Sequence, residues 1–288
     1  MANIPAEYTT LLEQFVTQAL AEDVGEGDHT SLACIPSDAR SKAVLKVKDE
    51  GVIAGIAVAE YILKRVDPNA IFTPKLEDGT AVSFGDIAFE VEANAQALLK
   101  AERILLNTMQ RMSGIATLSN RFHFEVEDLK AKVLDTRKTT PLIRFIEKWA
   151  VKLGGCENYR FGLYDWIMIK DNHIDACGSI SAAIDRAQAY LKENNLKLNI
   201  TIEVRNLVEL YEVLEKGGIT RVMLDNFELP ILHEAVQIIN GRFETEASGG
   251  VNIHNVRAVA QSGVDYVSVG ALTHSATGFD LSLKVVKD

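Results

Sequence analysis

From Val133 onward the chain alternates short apolar β segments with amphipathic helical ones, giving six or so β-α repeats in roughly 140 residues. Few folds accept that rhythm. The β segments are Val133-Leu134-Asp135, Ile167-Met168-Ile169, Leu198 to Val204, Arg221 to Asp225, Phe243 to Ala247 and Val264 to Val269. Helical spacing falls between them at Leu142 to Leu153, Ile180 to Leu191, Leu207 to Glu215, Pro230 to Ile239 and Ile253 to Ser262. Such a series suits a compact α/β barrel of the TIM type, with its chemistry at the carboxyl ends of the strands. A doubly wound open sheet is the alternative, and would place the site in a crevice.

The part before Val133 lacks this regularity. Tyr8 to Ala21 has the spacing of an amphipathic helix and runs into the acidic, glycine-punctuated loop EDVGEGDHTS, where Asp28 to Ser31 suit a helix cap. Lys42 to Lys48, Ile71-Phe72 and Gly85 to Val91 are candidate strands, and Ile53 to Val66 is a candidate helix. Strands with helical cover but no β-α alternation imply an α+β layer. Ala95 to about His123 forms a long helical stretch, with a break expected at Ser113-Gly114. Arg103 and Arg111 on that stretch read as solvated charges. The expected domains are residues 1–110, completed by 279–288 through a returning strand at Leu281 to Val286, and a barrel over residues 111–278.

A net charge of −10 argues against a general nucleic-acid binder. Neither a membrane span nor a signal peptide is evident, so a cytoplasmic protein is expected. Cys34, Cys156 and Cys177 are odd in number and lack CxxC spacing, so neither a disulfide framework nor a zinc site is indicated, and packing or chance accounts for Cys156 and Cys177.

Against this acidic background the window Val133 to His173 holds Arg137, Lys138, Arg144, Lys148, Lys152, Arg160 and Lys170. The strand ends carry Asp135-Thr-Arg137-Lys138, Lys170-Asp171-Asn172-His173, Glu203-Val-Arg205, Asp225-Asn226, Ser248-Gly249-Gly250 and Gly270-Ala-Leu-Thr-His274. Arginines can grip a carboxylate or phosphate through paired hydrogen bonds. Two carboxylates, Glu203 and Asp225, suit Mg²⁺, which takes its remaining ligands from water and substrate phosphate. The glycine turns expose backbone N–H groups that can cradle a phosphate. Together these groups imply a phosphorylated substrate and a second one bearing carboxylate. No Ser-His-Asp order, paired glycosidase carboxylates, HExxH or GxGxxG is present.

The strings LDTRKTTP, GGCENYRFGL, IKDNHI, IEVRN, VMLDN, EASGGV and YVSVGALTHS, with AERILLNTMQRMSGIAT and EDVGEGDHTS before them, closely resemble quinolinate phosphoribosyltransferase across nearly the whole chain. That family is also called nicotinate-nucleotide pyrophosphorylase (carboxylating). The resemblance implies conversion of quinolinate and phosphoribosyl pyrophosphate to nicotinate mononucleotide, pyrophosphate and CO₂ with Mg²⁺, in de novo NAD synthesis. It further implies an N-terminal open sandwich, a barrel of about seven strands, and a homodimer or higher assembly in which Arg103 reaches the partner's site. That reverses the bland reading of Arg103. By the same carry-over Arg137, Tyr159, Arg160 and Lys170 bind quinolinate. Lys138, Glu203 and Asp225 face the phosphoribosyl pyrophosphate as catalytic groups. The two carboxylates hold the metal directly or through water, and Ser248, Gly249, Gly270 and His274 contact phosphate. Two positions depart from the family pattern. Tyr159 stands where histidine is usual, and Cys156 where glycine is usual. A tyrosine can donate a hydrogen bond but does not become a cation. Three other readings fit parts of this pattern: a molybdate-transport-associated relative of the same fold, a non-catalytic phosphometabolite-binding module, and nicotinate phosphoribosyltransferase.

Overall fold

The computed structural model describes residues 4–286. Its first part runs through α1 (Thr9–Val24), α2 (His29–Cys34), β1 (Arg40–Val47), β2 (Gly51–Val52) and α3 (Ile56–Val66). Next come β3 (Ile71–Pro74), β4 (Ala81–Val82), β5 (Ile87–Asn94) and the long helix α4 (Ala95–Phe124). Alternation then begins with β6 (Lys132–Leu134), α5 (Arg144–Leu153), β7 (Ile167–Ile169), α6 (Asp171–Cys177) and α7 (Ile180–Glu193). It continues through β8 (Ile200–Val204), α8 (Leu207–Lys216), β9 (Arg221–Asp225), α9 (Leu229–Ile239) and β10 (Glu244–Ser248). The chain closes with α10 (Val256–Ala260), β11 (Tyr266–Ser268), α11 (Ala271–His274) and β12 (Leu281–Val286).

Contacts divide the chain into two units. One holds the residues up to Asn120, Thr139–Gly155 and the segment from Leu272; the other holds Arg121–Lys138 and Cys156–Ala271. The boundary therefore differs from the one expected near residue 110. Residues 111–120, 139–155 and 272–278 pack with the first unit. Aromatic packing explains part of the shift: Phe145 of α5 lies 5.9 Å from Tyr8 and 6.2 Å from Phe15, and Trp149 lies 6.1 Å from Tyr8. Residues 1–3 and 287–288 of the expected domains lie outside the described residues.

The first unit is built on an antiparallel sheet of order β12-β1-β5-β3. Ala43, Leu45 and Val47 alternate inward along β1, the period-two pattern of a half-buried strand. The tail strand β12 pairs antiparallel with β1, from Lys42 opposite Val286 to Val47 opposite Leu281. Asp28 caps α2 by accepting the Ser31 N–H. Helix α4 is unbroken, contrary to expectation. Ser113 spends its hydroxyl on the backbone N–H and carbonyl of Ala54. Gly114 admits the Thr277 carbonyl, which would lie 1.9 Å from a Cβ. Both residues were chosen by packing, not by a kink. Arg111 is likewise not a solvated charge: it pairs with the fully buried Glu147 at 2.8 Å and donates to the carbonyls of Thr273 and Ala276. Helix α5 starts two residues later than expected, because Leu142 takes a φ of 69°, incompatible with a right-handed helix.

Strand order in the second unit decides between the two architectures. The sheet runs β6-β11-β10-β9-β8-β7, all parallel. Each strand from β7 to β11 lies beside its sequence neighbour, and β11 returns to pair with β6. A doubly wound sheet would reverse direction at a switch point; this one closes round like a barrel. On the other edge of β6, Leu134 bridges in parallel to Glu157. The segment at Glu157 thus takes the place next to β6 that a seventh strand would hold.

Candidate active site

The strand ends of the second unit carry three local groups of polar residues. At the end of β6, Asp135 is fully buried, and its Oδ1 accepts the Tyr159 N–H at 2.8 Å. That bond fastens the Asn158-Tyr159-Arg160 segment beside the TRK loop, where Thr136 Oγ1 accepts the Lys138 N–H at 3.1 Å. Arg137 and Arg160 are near enough that the charge on Arg137, after burial, helps pull the Arg160 guanidinium below its ordinary range. The Nε of Arg137 is buried without a hydrogen-bond partner. Two crowded guanidiniums and an orphaned donor are costly in isolation and are relieved by an anion bridging them.

Lys170 stands at the end of β7, opening α6, and its backbone N–H donates to His173 Nδ1 at 2.9 Å. Its ammonium forms an ion pair with Glu203, whose side chain is 7% exposed. Glu203 lies on β8, next to β9, which ends in Asp225. Asp225 accepts from Asn226 Nδ2 at 2.6 Å, and the Asn226 N–H donates to the Ser248 carbonyl at 2.8 Å. Gly249, with φ +95°, has to be glycine here: a Cβ would lie 2.2 Å from Asn226 Oδ1. The Asp225-Asn226 and Ser248-Gly249 ends are therefore one interlocked corner. Gly270 follows β11 after Val269 and immediately precedes α11.

Among the described residues, no group of three or more His, Cys, Asp or Glu side chains is arranged to hold a metal. Glu203 and Asp225, on adjacent strands, offer two carboxylates and only oxygen donors. That set fits Mg²⁺, which keeps waters and substrate oxygens in its shell and does not demand a cage made wholly of protein. Arg103 and His274 belong to the first unit, where both are exposed, and His274 Nδ1 lies 2.7 Å from Ser275 Oγ. Arg205, at the end of β8, pairs with Glu209 one helical turn on.

Below the strand ends lies a polar layer that sequence reading did not pick out. Arg221 and Glu246, respectively 4% and 0% exposed, pair at 3.1 Å. The Tyr159 hydroxyl reaches Thr201 Oγ1 at 2.7 Å, and Trp166 Nε1 donates to the same oxygen at 2.8 Å. Burial, then the charge of Glu246, pushes the Tyr159 phenol well above its ordinary range, so it stays a neutral donor. Burial likewise raises Glu246. A signal existed: Thr201 and Glu246 stand two residues before Glu203 and Ser248, and side chains two apart on a strand share a face. A cavity of about 350 Å³ opens on this layer, lined by Lys132, Arg160, Trp166, Arg221 and Tyr266 among others. Its lining runs from Lys132, Arg221 and Tyr266, which begin their strands, to Leu134, Tyr159 and Arg160, and includes neither Glu203 nor Asp225.

Comparison with known proteins places this geometry in context. Residues 28–113 match the family model of the quinolinate phosphoribosyl transferase N-terminal domain, and residues 115–284 match that of the C-terminal domain. The chain is 45% identical to quinolinate phosphoribosyltransferase [decarboxylating] 1b of Nicotiana tabacum, covering 98% of this chain and 84% of that protein. It is 38% identical to the probable nicotinate-nucleotide pyrophosphorylase [carboxylating] of Bacillus subtilis, over 95% of this chain and 93% of that one. The crystal structure of NadC from Streptococcus pyogenes superposes with a TM-score of 0.90 at 35% identity, covering 96% of this chain and 98% of the other.

Proposed function

Because the chain belongs to the quinolinate phosphoribosyltransferase family, we propose that it transfers the phosphoribosyl group of phosphoribosyl pyrophosphate to quinolinate with loss of CO₂, yielding nicotinate mononucleotide for NAD synthesis. The observation that carries this reading is the pairing of Arg137 with Arg160 around an unsatisfied buried donor, set against an acidic pair on neighbouring strands. One half of the site suits a dicarboxylate, the other a sugar centre that becomes cationic.

In this reading Arg137, Arg160 and Lys170 hold the two carboxylates of quinolinate, with Tyr159 beside them. Guanidiniums do this by two parallel N–H···O bonds, which orient the ring as well as attract it. Lys170 is paired with Glu203 before substrate arrives. A substrate carboxylate that draws Lys170 away releases Glu203 toward the ribose. Transfer builds positive charge at the anomeric carbon as pyrophosphate departs, and Glu203 and Asp225 oppose that charge. Glu203 and Asp225 would hold Mg²⁺ directly or through water, and the ion would supply charge neutralisation for the leaving pyrophosphate. Lys138 adds a cation on that side, and the Ser248, Gly249, Gly270 and His274 groups take phosphate. Once the ring nitrogen is alkylated its positive charge stabilises the electron pair left on the adjacent carbon as CO₂ departs, and that carbon takes up a proton from solvent. No protein nucleophile is required, so positioning and electrostatics carry the rate.

A homodimer, with Arg103 reaching the partner's site, and a cytoplasmic location belong to the same proposal. The exposure of Arg103 on α4 supports the first. Among the described residues no helix is long and apolar enough to cross a membrane. The deciding experiment incubates purified protein with quinolinate, phosphoribosyl pyrophosphate and Mg²⁺ and follows nicotinate mononucleotide and CO₂. Product only when all three are present supports the reading; turnover of nicotinate instead, or of neither, refutes it.

A further inference from the structure

We propose that Thr201 and Glu246 are positioning residues that clamp the 159–166 loop and so set how well Arg160 meets a substrate carboxylate. The proposal rests on the reading that Arg160 binds quinolinate.

Arg160 sits near the start of a loop whose two ends are fastened to a single atom. Tyr159 Oη and Trp166 Nε1 lie 2.7 Å and 2.8 Å from Thr201 Oγ1. Trp166 can only donate, so its N–H is fixed on Thr201 Oγ1, and the Thr201 and Tyr159 hydroxyls share the second bond. The Tyr159 hydroxyl also lies within electrostatic reach of Glu246. Glu246 is held in turn by Ser268 Oγ and by Arg221 Nη1. Arg221 braces the rings as well, its Cζ standing 4.9 Å from the Tyr159 centroid, 5.2 Å from Trp166 and 3.8 Å from Tyr266.

The loop between the fixed ends is internally tied. Asp165 accepts the N–H groups of Phe161 at 2.6 Å and Gly162 at 3.0 Å. Arg160 Nη1 then donates to the Trp166 carbonyl at 3.2 Å, so the guanidinium is aimed by the residue that Thr201 holds. Thr201 is fully buried and touches no solvent. Its influence on a substrate passes through Tyr159, Trp166 and Arg160, which distinguishes it from the groups at the strand ends.

The test measures quinolinate binding by calorimetry and steady-state kinetics for both substrates in the wild type, Thr201→Val, Thr201→Ser and Trp166→Phe. Valine keeps the shape of threonine but cannot pass on the hydrogen bond. Its Kd and KM for quinolinate are expected to rise about tenfold, on the order of one net hydrogen bond. KM for phosphoribosyl pyrophosphate should stay within about twofold. Serine, which retains the hydroxyl, should restore quinolinate affinity. Trp166→Phe, at a half-buried position, loses only the first donor and should shift quinolinate affinity in the same direction even if valine impairs folding. Tyr159→Phe combined with Thr201→Val should cost no more than the worse single change, as members of one chain do. Unaltered quinolinate affinity in both Thr201→Val and Trp166→Phe, or equal losses for the two substrates, would overturn the clamp while leaving the enzymatic reading intact. A wild type that binds no quinolinate overturns the role of Arg160 and the clamp with it.

Discussion

Gly114→Ala sets helix propensity directly against tertiary packing. Gly114 lies inside the continuous helix α4, where alanine is intrinsically better by about 1 kcal/mol. Propensity alone therefore forecasts a more stable protein. The structure forecasts the opposite, since the new Cβ would lie 1.9 Å from the Thr277 carbonyl oxygen and 3.5 Å from the Phe279 backbone nitrogen. Contact distances near 3.5 Å oblige the Thr277 carbonyl to retreat by roughly 1.5 Å. That segment also anchors itself on α4, through the Phe279 N–H bonded to the Gln110 carbonyl at 3.0 Å. It leads to β12, and Phe279 itself is 3% exposed. Overpacking costs about 1–3 kcal/mol and the strained hydrogen bond about 1 more. After the propensity gain, the net loss is about 1–3 kcal/mol. Urea titration followed by circular dichroism would measure it, with Asn120→Ala on the exposed face of the same helix as the control for propensity. A Gly114→Ala protein as stable as the wild type would refute the packing argument.

Other predictions come from buried charge, a buried thiol and the acidic pair. Glu147 is fully buried and accepts from Arg111 and from both the N–H and hydroxyl of Thr140, so Glu147→Ala should cost about 3–5 kcal/mol by thermal or urea unfolding. A loss under about 1 kcal/mol would show that these bonds contribute little net stability. Burial, then the charges of Asp135 and Glu157, pushes the Cys156 thiol up to about 12. Native protein at pH 8 should therefore react with iodoacetamide at the exposed Cys34 and not at Cys156, which mass spectrometry of the labelled peptides would check. Because the unfolded chain releases that proton near 9.0, stability present below this pH should fall as pH rises toward about 12. The slope is up to about 1.4 kcal/mol per unit, and Cys156→Ala should remove this contribution. Glu203→Gln and Asp225→Asn should each lower kcat about 100-fold or more, with a higher Mg²⁺ requirement in activity titrations; unchanged metal dependence would argue against their place at the metal.

Much of the second unit was legible because its signals are local. Ile167–Ile169 and Arg221–Asp225 have the bounds expected from their apolar runs, as does Leu281–Val286 in the first unit. Period and propensity act over a few residues, so they survive without knowledge of neighbours. The polar groups after each strand were readable for the same reason, since barrel strands leave their chemistry at the carboxyl ends. What lay within the strands was not. Glu246 and Arg221 looked like ordinary strand residues, although both are buried charges and each is stabilised by the other. Ser113-Gly114 resembled a helix break because local chemistry favours one there; contacts with Ala54 and Thr277, far away in sequence, reverse the preference.

By itself, then, the sequence determined the alternation, the candidate anion-binding and acidic residues, and a family resemblance spread over the chain. Tertiary structure decided that β11 closes on β6, that α5 and the tail pack with the first unit, and that Thr201 joins Tyr159 to Trp166. The physical reason is range. Backbone preferences are settled among neighbours, whereas a buried charge or hydroxyl is tolerable only where a distant residue satisfies it, and pairings of that kind exist only once the chain has folded.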